Sequence, residues 1–442
     1  MDYKNNINFR KQSLIKLLYT VKLYEKEISE ALYNDFKKPA FEAFVTEINI
    51  VIDELNYTIK NINKWAKPKK VLPSFLNFPS REYIYSEPYG SVLIISPWNY
   101  PFQLALCPLI AAVAAGNKVT LKPSELTPNT SSLLSKIIRE TFDPKHVIVV
   151  LGDKRLSEEL LKNRWNYIFF TGSVAVGKLI YKAAAEFLTP VTLELGGKNP
   201  CIVDETANLP LAAKRIVWGK FINAGQTCIA PDYILVKPKI KNELISLLKK
   251  EIQNAYGENP ELSPDFTRII SKEHLKRLVS FIEFQDIAFG GSHNEDENYL
   301  SPTIVDEPNL DSALMKEEIF GPILPILSYS NNDDLKRIIS KSEKPLSMYV
   351  FTENNAFAEK IIQDYSFGGG CVNDTVVHFS NKRLPFGGVG NSGIGAYHGK
   401  LSFDTFSHQK AIVKKANWLD IPFRYAPYKG KLKMIKKILK WI

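Results

Sequence analysis

Between residues 9 and 66 the apolar positions recur three and four apart: Leu14, Leu17, Leu18 and Val21, then Ile28, Ala31 and Leu32, then Ile48, Val51, Ile52, Leu55, Ile59 and Ile62. This spacing lines one side of a 3.6-residue helix and predicts two or three amphipathic helices. Residues 67–80 hold three prolines and no sustained period, which predicts an extended connector. From residue 81 short β-branched runs (YIYSEPYGSVLIIS, NKVTLKPS, HVIVVLG, NYIFFTGS) alternate with helical stretches near 103–115, 130–142 and 175–187. That alternation predicts an α/β fold with a doubly wound parallel sheet and a ligand at the carboxyl ends of its strands. A second alternating block runs from about 190 to 386, with helices expected at 210–223, 241–254, 271–284 and 333–341 and strands at PTIVDE and SMYVFT. The glycine-rich stretch 386–399 is expected to be a turn-rich loop.

Composition narrows the class. A chain of 442 residues exceeds what one core usually fills, so two or three domains are expected. The formal charge of +10 would point to nucleic acid or an anionic surface, but six lysines (Lys429, Lys431, Lys433, Lys436, Lys437, Lys440) crowd the last fourteen residues without an acid. The body is near balance, and no nucleic-acid partner is expected. The longest apolar run, 104–115, is twelve residues with Pro108 inside it, well short of the roughly 20 a spanning helix needs. The N-terminal residues are interrupted by Lys and Arg before a secretory apolar region develops, so no signal peptide is expected. Cys107, Cys201, Cys228 and Cys371 lack metal-ligand spacing. They indicate a reducing, cytoplasmic setting, no metal, and one candidate nucleophile.

Several short segments can carry chemistry. In GQTC, Cys228 follows a helix and a glycine, where its own N–H can face a developing oxyanion; a buried inert thiol is the commoner fate of a cysteine. Glu194 lies between Leu193 and Leu195 ahead of a Gly196-Gly197 turn, and an apolar setting would raise its pKa into the range of a general base, whereas a strand-end Glu usually faces solvent. FTGSVAVGK places Gly172, Ser173, Val176 and Gly177 at a strand-to-helix junction fit for a phosphate, or simply a tight turn. Lys122 and Glu125 end another strand and can grip ribose hydroxyls or form a polar loop. Asn99, between Trp98 and Tyr100 in SPWNYPF, can donate to an oxyanion or serve as a turn former. Glu318 and Phe320 in EEIFGP fit either a loop or a contact to ribose and ring.

In this order, together, the segments resemble the aldehyde dehydrogenase superfamily over residues 9–415, and GQTCIAPDY with GNSGIGAYHGKLSFDTFSHQK is similar to its class 3 and fatty aldehyde branch. The resemblance implies oxidation of an aldehyde to the acid, with Cys228 as nucleophile, Glu194 as hydrolytic base, and Asn99 with the Cys228 N–H as oxyanion donors. It implies NAD as cofactor, with NADP possible, held by Trp98, Lys122, Glu125, Gly172, Ser173, Val176, Gly177, Leu195, Glu318 and Phe320. Val174 departs from the Thr or Ser common in the family. Residues 1–80 and 89–194 are assigned to the dinucleotide domain, 195–400 to the catalytic domain, and 81–88 with 405–415 to a β bridge that implies a homodimer. CoA acylation and a non-catalytic, membrane-associated scaffold are the rivals; Glu194, which acylating enzymes are expected to lack, argues against the first, and retention of Cys228, Glu194 and Asn99 together against the second. Trp218 and Ile222, a turn apart before Cys228, with Tyr100 and Phe386, indicate an apolar tunnel for medium or long aliphatic or aromatic aldehydes. Residues 427–442 are expected to form a basic amphipathic helix, with Leu432, Met434, Ile435, Ile438, Leu439, Trp441 and Ile442 on one face. It suits either peripheral contact with the inner membrane surface or packing on the dimer.

Overall fold

The computed structural model describes residues 6–420, 422–438 and 440. Five parallel strands, Ser91–Ile95, Lys118–Lys122, Val147–Val149, Tyr167–Thr171 and Val191–Glu194, form the first sheet with a short antiparallel edge strand, Gly393–Ile394. The chain fills one side of Ser91–Ile95 and then returns to the other through Tyr167–Thr171. These neighbouring strands are the topological switch point, and the crevice beyond their carboxyl ends is where such sheets bind ligands. Helix Gln103–Ala115 is buried along its whole length, as its nearly unbroken apolar sequence requires. It lies against the sheet and under the helices Ile7–Leu23 and Asn49–Trp65, whose apolar stripes close the core over it.

The second sheet has seven strands in the order Ile287–Phe289, Thr303–Asp306, Ile323–Ser328, Tyr233–Val236, Pro200–Val203, Ser347–Phe351, Gly369–Val372, parallel except for the first. Helices Leu209–Phe221, Pro238–Tyr256 and Lys272–Ile282 pack on one face, and Asn332–Ile339 with Asn355–Asp364 on the other. Burial on both faces explains why its central strands read as continuous apolar runs rather than alternating ones.

Three expectations change. The connector at 67–80 contains a strand, Lys69–Val71, paired to the open edge of Ser80–Pro88. The loop at 386–399 contains the strand Gly393–Ile394, and helix Gly399–Thr405 packs on Gln103–Ala115 and Asn49–Trp65, so this stretch sits with the first sheet and a boundary at 400 is too late. Small residues permit the return: a Cβ on Gly393 would stand 2.7 Å from the Leu193 carbonyl oxygen. Ile222 is not on the helix with Trp218, because the helix ends at Phe221 and Ile222 turns out of it with ψ 136°.

Ser80–Pro88 and Ser407–Lys415 pair antiparallel along their full length, and the latter keeps one edge open. Apart from Ser407 their residues are half-buried or exposed. Helix Lys431–Ile438 begins the basic tail and exposes Leu432 and Met434; Leu439, Trp441 and Ile442 lie outside the described residues. Among the described residues no helix is long and apolar enough to cross a membrane.

Candidate active site

Cys228 is presented by a strained turn. Asn223, Ala224 and Gly225 follow one another in the left-handed region, with φ of 55°, 52° and 72°. The two non-glycine residues cost about 1–3 kcal/mol each, so surrounding bonds must hold them. The Asn223 amide donates to the carbonyls of Asn99 at 2.9 Å and Gln226 at 3.1 Å, and its backbone N–H donates to Glu42 at 3.0 Å. Gln226 donates to the carbonyls of Asn223 and Arg268 and accepts from the Ile270 N–H. Gly225 allows a close approach, since a Cβ there would stand 2.3 Å from the Gly321 carbonyl oxygen. Asn199 donates to the Cys228 carbonyl at 2.8 Å and completes the clamp.

Asn99 is buried beside this turn, and its side-chain nitrogen donates to the Gln226 carbonyl at 3.1 Å. An amide carries two N–H groups, so one remains for a substrate oxygen. The segment around Asn99 is fixed by a pair that the sequence motifs did not single out. Lys38 and Glu47, both fully buried, meet at 2.6 Å; Glu47 also accepts from the N–H groups of Phe102 and Gln103 at the start of the buried helix. The Lys38 ammonium lies 4.2 Å from the centre of the Tyr100 ring and 3.4 Å from the Asn99 carbonyl oxygen. The available signal was a Glu set among apolar residues of a helical run, in a segment that forms a π-helical turn, Phe44–Ile48.

Cys228 and Glu194 line one cavity of about 370 Å³, together with Leu195 and all four expected tunnel residues, Tyr100, Trp218, Ile222 and Phe386. Trp218 is 45% exposed and therefore stands at the mouth rather than in the helix core. Most of the wall is apolar, but Asp53, Glu54, Lys382, Tyr397 and His398 also reach it. Glu194 ends its strand 3% exposed, and neither carboxylate oxygen has a protein hydrogen-bond partner. Burial pushes its pKa well above the ordinary carboxylate value. Burial, then the charges of Glu318 and Glu194, push the Cys228 thiol up to about 12. The thiol is thus held neutral and needs a base before it can attack.

The remaining sequence candidates gather at the switch point, outside the cavity lining. Lys122 is buried at the end of its strand and pairs with Glu125. Ser173 caps helix Val174–Glu186, accepting from the Val176 N–H at 3.4 Å, and Val176 in the first turn is 43% exposed. Gly172 and Gly177 serve packing, because a Cβ would reach 2.5 Å from the Phe170 ring and 2.6 Å from Leu195 respectively. Trp98 meets the Phe320 ring edge-on at 5.3 Å, and the Phe320 carbonyl bonds the His274 ring at 2.8 Å. Glu318 lies against Gly196, where any Cβ would collide with its carboxylate; burial, then the nearby Asp232 charge, raise its pKa to about 8. Among the described residues no cluster of His, Cys, Asp or Glu could hold a metal ion.

The chain is 49% identical over 437 residues to 4,4'-diaponeurosporen-aldehyde dehydrogenase of Staphylococcus aureus, covering 98% of this chain and 95% of that one. It is 44% identical over 428 residues to the dimeric, NADP-preferring aldehyde dehydrogenase of Canis lupus familiaris, covering 96% and 94%. The solved substrate-bound state of Staphylococcus aureus AldH matches it with a TM-score of 0.97 at 49% identity, over 99% of this chain and 96% of that one. The model of the aldehyde dehydrogenase family matches residues 4–412, nearly the whole chain, and the protein belongs to that family.

Proposed function

We propose that this aldehyde dehydrogenase oxidises a long apolar aldehyde to its carboxylic acid, with Cys228 as nucleophile, Asn99 as oxyanion donor and Glu194 as hydrolytic base. The observation that carries this is the convergence of Cys228 and an unpartnered, buried Glu194 on a single, mostly apolar cavity. Once a base has taken its proton, the Cys228 sulfur attacks the carbonyl carbon. The new oxyanion accepts from the Cys228 N–H and the second N–H of Asn99. NAD or NADP, held by the switch-point residues, would supply the acceptor for the hydride that leaves the carbon. A thioester on Cys228 remains. Glu194 takes a proton from water, the hydroxide attacks the thioester, and the acid departs as the thiolate is restored. Glu194 also weighs against CoA acylation, in which no water need be activated.

The switch-point residues fit a dinucleotide. The exposed first turn of helix Val174–Glu186 offers backbone N–H groups to a pyrophosphate, so Val174 in place of a hydroxyl residue matters little. Lys122 and Glu125 suit ribose hydroxyls, and Glu318 beside the Gly196-Gly197 turn suits the second ribose. Leu195, Trp98 and Phe320 would flank the rings. Glu125 favours NAD by repelling a 2′-phosphate, although the canine relative is named NADP-preferring.

The dinucleotide domain then comprises the first sheet, the N-terminal helices and residues 393–405, with the seven-stranded sheet as the catalytic domain. The open edge of Ser407–Lys415 supports a homodimer, as does the word "dimeric" in the name of the canine relative. The tail supports peripheral membrane contact on the cytoplasmic side: Trp418, Tyr428 and Leu432 are 75%, 66% and 63% exposed beside the lysines. An aldehyde series of rising chain length tests the substrate class. Specificity constants should rise with length, by about 0.8 kcal/mol per buried methylene at most. A flat or falling series would reject the apolar tunnel.

A further inference from the structure

The reading of Glu194 as the hydrolytic base leaves a difficulty that the cavity itself answers. Burial favours the neutral form of Glu194, and a neutral carboxyl cannot take a proton from water. A hydrogen-bond donor facing it would stabilise the carboxylate. Several nearby hydroxyls are already engaged: Tyr167 with Thr192 at 2.6 Å, and Tyr100 with Thr227 at 2.7 Å. Tyr397 differs. Its side chain is 2% exposed, its hydroxyl has no hydrogen-bond partner, and it lines the same cavity as Glu194 and Cys228.

The position of the Tyr397 ring is fixed. It packs at 5.4 Å from Phe169, 5.7 Å from Phe386 and 4.9 Å from His398, and its backbone exchanges hydrogen bonds of 2.8 and 2.9 Å with Phe386. The geometry points to Tyr397 as a positioning residue whose free hydroxyl turns to donate to Glu194 once the carboxylate forms, and so keeps it ionised for the hydrolytic step. Groups from every neighbouring element bear on this hydroxyl: Glu194 at the end of its strand, Cys107 on the buried helix, Cys228 on its turn, Glu54 on helix Asn49–Trp65, and adjacent His398. Lys382, a cation that also lines the cavity, pairs with Asp53 at 2.5 Å and lies 3.9 Å from Glu54. The tyrosine is a neutral, unpartnered hydroxyl in the cavity that Glu194 shares.

The test uses the full-length enzyme and Tyr397→Phe, which keeps the ring packing. The expected result is a retained burst of NAD(P)H, followed by hydrolysis about tenfold slower at pH 7, with its pH profile displaced upward by about one unit. In the Glu194→Gln background, Tyr397→Phe should slow hydrolysis no further, because the two act through one step. An unchanged pH profile would overturn the proposal, as would loss of the burst itself. The base assignment is judged separately: if Glu194→Gln alone turns over at the full rate, Glu194 is not the base, whatever Tyr397→Phe does.

Discussion

The two halves of the site treat their polar groups in opposite ways. At the switch point several are paired within the protein: Lys122 with Glu125, Ser173 with its own helix, His274 with the Phe320 carbonyl. On the cavity side, Glu194 and Tyr397 are buried without partners, and so is one ring nitrogen of His398. A surface that recognises a ligand of fixed shape gains from groups already locked in place. A group that must gain and lose a proton in each turnover is better left unpaired until its carboxylate forms. The cost falls on the cavity side, where each buried unpaired group forgoes about 1–3 kcal/mol.

Substitutions on the two sides should therefore separate. The largest effect belongs to Cys228→Ala, which should lower kcat by about 10⁴-fold or more while leaving NAD(P) binding by fluorescence titration within about twofold. Loss of cofactor binding as well would merge the two halves. Glu318 lies between them and is the next test, because its charge bears on the Cys228 thiol ahead of that of Glu194. Glu318→Gln should weaken cofactor binding and slow the burst by about tenfold, yet preserve the rise of thioester hydrolysis with pH. Disappearance of that rise would transfer the base role to Glu318. Glu125→Thr should shift the ratio of specificity constants toward NADP by about tenfold, since a like charge beside the 2′-phosphate is removed. An unchanged ratio would place Glu125 away from the ribose. The smallest kinetic effect is expected from ending the chain at Pro427, which should leave turnover of a soluble aldehyde unchanged. That truncation should abolish salt-sensitive co-sedimentation with anionic vesicles, and no binding by the full chain would leave the tail to dimer packing.

The sheets were legible because buried parallel strands write themselves as apolar runs separated by helical periods, and the helices at 103–115 and 174–186 emerged within a residue of expectation. Taken alone, an acid ending an apolar strand and a thiol after a glycine turn read as readily as a solvent-facing Glu and an inert Cys; the order of all the segments together singled out Glu194 and Cys228. What stayed hidden was long-range. Nothing local marks Gly393–Ile394 as a strand, because its partner lies about two hundred residues earlier in the chain. Lys38 and Glu47 meet only through folding, which buries the pair beside Asn99 and Tyr100. The left-handed turn at 223–225 was equally silent, since Asn and Ala adopt it only under the hydrogen bonds of Glu42, Asn99 and Gln226.

Cys228 and Glu194 are proposed to divide the reaction, the first forming the thioester and the second hydrolysing it. Stopped-flow absorbance of Glu194→Gln with aldehyde and NAD(P), followed by intact-protein mass spectrometry, tests it most directly. Because burial raises the Glu194 pKa, the wild-type carboxylate fraction grows as pH rises, and hydrolysis should accelerate through neutrality and beyond. The account predicts that Glu194→Gln releases one equivalent of NAD(P)H, carries the acyl mass on Cys228, and loses that acceleration. Full steady-state turnover with an unmodified Cys228 and the wild-type pH profile would contradict it.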